Sequence, residues 1–204
     1  MNNFFPETCS IVFLGERMQG SVRLKNILIL EDSESHRRLQ DIFFETAIKY
    51  ATSNKHVIFV TEKPIDNVSP KILHNYDSIF KKIIFIYSRS PEAILLKLNE
   101  IQSWNFTPSL VIIESIHKIL AKTAGIDDIQ QQYLNSVFFA TIFDTAACFS
   151  RKLNENTPCI LSVSKDMHNS GQLPVEMFFQ AERVLSNRNV LSCTDVLDAL
   201  RECS

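Results

Sequence analysis

Apolar residues occur along this chain in short unbroken runs, separated by longer stretches with helical spacing. Residues 27–30, 57–60, 83–86, 110–113 and 159–163 are dominated by Ile, Val, Leu and Phe. Because these runs do not alternate with polar residues, they predict strands covered on both faces. Such strands belong in a mainly parallel sheet with helices above and below it. Between the runs, Leu39, Ile42, Phe43, Ala47 and Tyr50 recur at helical spacing over residues 37–51. Pro91 suits a helix first turn and predicts a helix running to Trp104. A long helix is predicted over 127–153, with Ile129, Tyr133, Val137, Ala140, Phe143, Ala147 and Phe149 supplying much of its apolar side. Residues 183–185 and 189–191 predict short late strands. Thr194, just before Asp195, predicts the cap of a final helix through Arg201.

The order of elements predicts an α/β fold with a three-layer core. Residues 25–204 would form that core, preceded by a segment, 1–24, whose Phe4-Phe5-Pro6 and Ile11-Val12-Phe13-Leu14 are too apolar for a free tail and suggest an interface. Residues 66–77 and 165–174 carry the weakest pattern. In open α/β sheets, ligands bind beyond the carboxyl ends of the strands. Segments 31–38, 114–128 and 165–174 are therefore expected to meet there.

Composition narrows the chemistry. The chain has 204 residues, 45% of them hydrophobic, enough for one sizeable core. A net charge of -2 gives no general attraction to nucleic acid, so any basic surface must be a local patch. With only four glycines, a loop wrapping phosphate with backbone N–H groups is disfavoured. Cys9, Cys148, Cys159, Cys193 and Cys203 include no C-x-x-C pair, which argues against zinc and for reduced thiols in the cytosol or nucleus. Neither a signal-peptide pattern nor a membrane-length apolar run is evident.

The turn after Leu30 occupies the setting of a phosphate loop, between a buried strand and an amphipathic helix. That loop needs two glycines, a lysine and a Ser/Thr hydroxyl. In register, those positions hold Glu31, His36, Arg37 and Arg38. A carboxylate about 4 Å from a phosphate oxygen would cost about 4 kcal/mol at an effective dielectric of about 20. The sequence therefore predicts an ordinary charged turn, with Ser33 or Ser35 capping the helix, and no bound nucleotide cofactor. The run ending in Glu114 resembles a Walker B strand with Glu in place of Asp. Residues 27–32 also resemble the first strand and acidic pair of a response-regulator receiver, but the strand ending at Val60-Thr61 supplies no acceptor Asp. His36 and His117 could meet Asp32 and Glu114 as a crude metal cluster, although nothing in the spacing fixes such a site.

Asp144-Thr145-Ala146-Ala147-Cys148-Phe149-Ser150-Arg151-Lys152-Leu153 combines small residues, which allow close helix packing, with a basic last turn that complements the helix dipole. This stretch resembles the corresponding helix of the RecA-like subunit that partners a SWIM-domain zinc protein in the animal Shu complex. Lys82-Ile83-Ile84-Phe85-Ile86-Tyr87-Ser88, residues 108–116 and the strand at 27–30 share the resemblance, which covers most of 25–165. It implies a RecA-like core acting in the nucleus in homologous recombination. The partners implied are a SWIM-domain zinc protein and recombinase or its paralogues. The subunit would bind DNA and promote recombinase filaments on single strands.

The departures at 31–38 leave ATPase activity out of that inheritance and point to a pseudo-ATPase. Since RecA-like folds place DNA loops at the carboxyl edge, the resemblance makes Lys118, Lys122, Lys165 and His168 the candidate DNA contacts, with Arg37 and Arg38 beside them. Lys81-Lys82 and Arg151-Lys152 are alternative phosphate contacts. The same degenerate core would also suit an Elongator-type accessory subunit supporting tRNA wobble-uridine modification. A divergent NTPase using Arg37 and Glu114 is the enzymatic alternative.

Overall fold

Each apolar run becomes a strand. In this computed structural model the described residues are 26–32, 36–65, 77–121, 125–171, 173–179, 184–186 and 192–201. The strands are Ile27–Glu31 (β1), His56–Thr61 (β2), Ile83–Tyr87 (β3), Pro108–Ile113 (β4), Cys159–Ser164 (β5) and Val184–Ser186 (β6). They form one sheet in the order β3-β2-β4-β5-β1-β6, and every pairing is parallel. The helices are His36–Thr52 (α1), Asp77–Phe80 (α2), Pro91–Ile101 (α3), Ile116–Ile119 (α4), Asp128–Leu153 (α5), Lys165–Asn169 (α6), Val175–Phe178 (α7) and Cys193–Arg201 (α8).

Side chains alternate across each strand and feed two separate cores. Ile27, Ile29, Val57, Phe59, Leu110 and Ile112 face α1 and α8. Leu28, Ile58, Val60, Val111, Ile113 and Leu161 face α3, α4 and α5. With both faces buried, neither strand parity can be polar, which accounts for the unbroken runs. The result is an α/β fold consistent with a RecA-like three-layer core. The order also excludes the receiver, where the acceptor strand lies beside the first strand. Here β1 has β5 and β6 as neighbours, and β4 lies beyond β5.

Three local expectations are corrected. First, α3 ends at Ile101 rather than Trp104, because the chain turns through hydrogen bonds such as Trp104 N–H to Ile101 O, 3.1 Å, and returns to β4. Second, the final helix is capped by Ser192 rather than Thr194. The Ser192 N–H donates to Asp195 Oδ2 at 2.8 Å, and the Asp195 N–H donates to Ser192 Oγ at 3.4 Å, a reciprocal capping box.

The third correction concerns α5. Asp127 caps it by accepting from the Gln130 N–H at 2.8 Å, and left-handed Asn154 ends it. Phe143 and Phe149 are buried as expected, but Ile129, Tyr133 and Val137 are exposed. The face that meets the sheet layer begins instead with Gln131 and Asn135, which hydrogen-bond each other at 3.0 Å, and continues through Phe138, Phe139, Ile142 and Ala146. The first half of α5 is apolar on two faces, and packing chose the one that starts with amides. The expected strand at 189–191, the caps Ser33 and Ser35, and the apolar segment 4–14 lie outside the described residues. Among the described residues no helix is long and apolar enough to cross a membrane.

Candidate functional site at the carboxyl edge

Helix crossings place the candidate site. The chain leaves β1 toward the α1 face and leaves β4 and β5 toward the α5 face, so a crevice opens beyond β1 and β5. It is a cleft of about 500 Å³ lined by Glu31, Asp32, His117, Lys118, Ser164, Lys165, Asp166 and Asn169. The three segments expected to converge thus do so. Register explains the contact between the first and third, since Glu31 pairs with Ser164 across β1 and β5.

Buried acids at the strand ends are tied into the protein. Glu31 is 4% exposed. Its Oε1 accepts from Ser115 Oγ at 3.0 Å and lies 3.1 Å from His117 Nδ1. The Ser164 N–H donates to that same Nδ1 at 3.1 Å. A ring nitrogen offers either a lone pair or a proton, so one tautomer can satisfy the amide or the carboxylate, but not both. Glu114 is 3% exposed and turns the other way. Its Oε2 accepts from Thr61 Oγ1 at 2.6 Å and from Gln40 Nε2 at 3.0 Å. Among the described residues, Glu31 and Glu114 thus have different partners: Ser115 and His117 for the first, Thr61 and Gln40 for the second.

Ser115 links these strand ends. Its backbone is left-handed, with φ 51° and ψ 52°, at a cost of about 1–3 kcal/mol for a residue with a Cβ. Its N–H donates to buried Ser162 Oγ at 2.8 Å, its hydroxyl donates to Glu31, and its carbonyl accepts from the Lys118 N–H at 2.8 Å.

The cations of the cleft are matched by acids. Lys165 Nζ lies 2.6 Å from Asp32 Oδ1. Lys118 Nζ lies 3.9 Å from Glu62 Oε2, and Arg89 also pairs with Glu62. Among the described residues, three carboxylates and two ammonium groups line the cleft, a lining without excess positive charge.

The expected site residues separate accordingly. Glu31, Lys118 and Lys165 line the cleft. Glu114 lies behind it, joined to α1 and β2. His168 lies on α6 but does not line the cleft, and its Nδ1 is buried without a hydrogen-bond partner among the described residues. Arg38 is exposed on α1. His36 and Arg37 begin α1, but their side chains, like Lys122, lie outside the described residues. His117 lies beside Glu31, not with Glu114 in the crude cluster that the spacing left unfixed. Among the described residues no group of three metal-ligating side chains comes together.

The sequence reading missed Gln40, Thr61, Ser115 and Ser162. Thr61 and Ser115 directly follow apolar runs, and that position was the available signal. Gln40 carried none, because its bond to Glu114 joins residues 74 apart. Compared with known proteins, the chain matches no protein-family model, and no curated protein is significantly similar to it in sequence.

Proposed function

We propose that this chain is a non-catalytic RecA-like subunit of a Shu-type complex. In this role it acts in the nucleus in homologous recombination, binding DNA and favouring recombinase filaments on single strands. The resemblance over residues 25–165 and the order of the parallel sheet support the family. One observation carries the non-catalytic part: Glu31 and Glu114, at the positions of the phosphate loop and the metal-orienting acid, are buried and bonded to the protein's own Ser115, Gln40 and Thr61. A triphosphate there would face carboxylate instead of a glycine cradle.

The proposed mechanism is a population shift. A subunit that binds the assembled filament or its DNA better than the dissociated parts biases assembly without chemistry. A subunit with an obligate partner also needs an apolar surface to cover, and the outer face of α5 offers Ile129, Tyr133, Leu134 and Val137.

Affinity purification of the full chain with mass spectrometry tests the assignment. Recovery of a SWIM-domain zinc protein and recombinase is expected. Recovery of Elongator accessory subunits instead would replace it. Saturable, Mg²⁺-dependent binding of labelled ATP, abolished by Arg37→Ala, would overturn the pseudo-ATPase assignment.

A further inference from the structure

Charge is distributed differently on the two edges of the sheet. At the carboxyl edge, Lys118, Lys165 and Arg89 each face a carboxylate. The amino edge gathers the turns that enter the strands and the carboxyl ends of the helices. Lys81-Lys82 precede β3, Lys55 precedes β2, and Arg151-Lys152 close α5 ahead of β5. Lys55 pairs with Glu155 at 2.8 Å. Lys82, Arg151 and Lys152 have no carboxylate at ion-pair distance among the described residues. Lys152 donates to the Gln102 carbonyl, and Arg151 Nη2 approaches Cys148 Sγ at 3.0 Å. Helix-dipole complementation accounts for Arg151 and Lys152. It does not account for Lys82, which lies in a turn before a strand.

Aromatic rings lie between these cations. The turn from α3 into β4 carries Trp104 and Phe106, and β4 runs between β2 and β5. Trp104 is 36% exposed. Its ring meets Phe106 edge-on at 5.4 Å, and Phe106 stacks on His56 at 4.2 Å. Lys97 Nζ sits 5.3 Å from the Trp104 ring centroid. At about 4.8 Å per strand, the line from β3 to β5 spans about 14 Å, and the strand that the ring-bearing turn enters, β4, lies within it. The bond from Lys152 to Gln102 joins the end of α5 to this same turn.

We propose that the amino edge of the sheet binds single-stranded nucleic acid, with Lys82, Arg151 and Lys152 meeting phosphates and Trp104 stacking on a base. Lys82, Arg151 and Lys152, which no acid among the described residues neutralises, supply the backbone attraction. An exposed ring selects single strands, because only unpaired, splayed bases offer it a free face. This surface lies opposite the cleft and gives the single-strand binding proposed above a location away from the expected loops. It stands on charge and ring geometry, without the recombination assignment.

Trp104 is the sole tryptophan of the chain, so its emission reports this surface directly. Titrating the full chain with oligo(dT), oligo(U) or a duplex should quench Trp104 with either single strand and much less with the duplex. Lys82→Glu with Lys152→Glu should weaken binding at least tenfold and flatten the salt slope by about 1.4, the share of two single-strand phosphate contacts. Trp104→Ala, followed by anisotropy, should weaken binding about 5- to 150-fold, with Trp104→Phe restoring most of it. Lys63→Glu, an exposed position just after β2 at the carboxyl edge, should leave the quench unchanged. Circular dichroism identifies any variant that fails to fold.

Absence of oligonucleotide binding by the folded chain would overturn the proposal. So would binding that leaves Trp104 emission unchanged, or a salt slope untouched by the double reversal. Loss of quench only on Lys118→Glu with Lys165→Glu would move the contact to the carboxyl edge. Partner recovery in the purification is read separately, so failure of one proposal does not mimic failure of the other.

Discussion

Removal of a single hydroxyl tests whether Glu114 is a structural acid. Thr61 is 1% exposed, and its Oγ1 has one proton to donate. Glu114 Oε2 at 2.6 Å takes it in preference to the Lys63 carbonyl at 3.3 Å. Thr61→Val keeps the shape of the side chain and removes the donor. A hydrogen bond to a charged group contributes about 1.5–3 kcal/mol, and the carboxylate stays buried after the substitution. At about 2–4 °C per kcal/mol for a chain of this size, Tm should fall by roughly 3–12 °C.

Urea denaturation followed by far-UV circular dichroism measures the loss. The same substitution in a Glu114→Gln background should cost less, about 0.5–1.5 kcal/mol, because the bond is then between neutral groups. The difference between the two backgrounds is the coupling. Equal losses in both, or a loss below about 0.5 kcal/mol in the wild type, would refute the account of Glu114 as an acid held in place by the fold.

Other outcomes follow from the packing and from the perturbed groups. Phe139→Ala empties the centre of the ring cluster formed with Phe138, Phe143, Phe178 and Phe179 and should destabilise the chain by about 3–5 kcal/mol in the same urea assay. A loss under 1 kcal/mol would show that the cluster collapses freely. Burial, and then the charge of Lys82, hold the His56 imidazole below the ordinary histidine range. The folded state therefore binds that proton less readily than the unfolded chain. The contribution to stability is intact above about pH 6.5 and is lost as pH falls through that value toward the folded pKa. An NMR titration should place the His56 midpoint below the ordinary value, and Lys82→Ala should raise it; an unmoved midpoint would separate the two groups. Burial pushes the Cys159 thiol far above the usual thiol range. Mass-spectrometric mapping of alkylation should find partly exposed Cys148 modified in the native protein and Cys159 only on unfolding; early labelling of Cys159 would contradict its burial.

Much of the architecture was legible in residue order. The runs at 27–30, 57–60, 83–86, 110–113 and 159–163 had to be strands covered on both faces, because each carries apolar side chains at both parities. Pro91 announced its helix by chemistry acting within one turn, and the helix at 127–153 was legible from apolar spacing alone. Where the same local rules offered two answers, the choice could not be read. The first half of α5 is apolar around Ile129 and Tyr133 as well as around Phe138 and Ile142, and period alone gives no reason to bury Gln131 and Asn135 instead.

The chain by itself determined the layered α/β core and the mismatch to a phosphate-loop pattern at Glu31, His36, Arg37 and Arg38, since both depend on residue type and spacing over a few positions. Only the tertiary structure decided what those strand ends bond to. Gln40, Thr61, Glu31, Ser115 and His117 come from distant stretches, and the parallel sheet brings their ends to one edge, where each buried acid takes a neutral partner. The same closure carries Lys82, Trp104 and Lys152 to the opposite edge. Short-range periodicity specifies which face of an element is apolar, but sheet order specifies which elements are neighbours, and a site made of strand ends depends on the second.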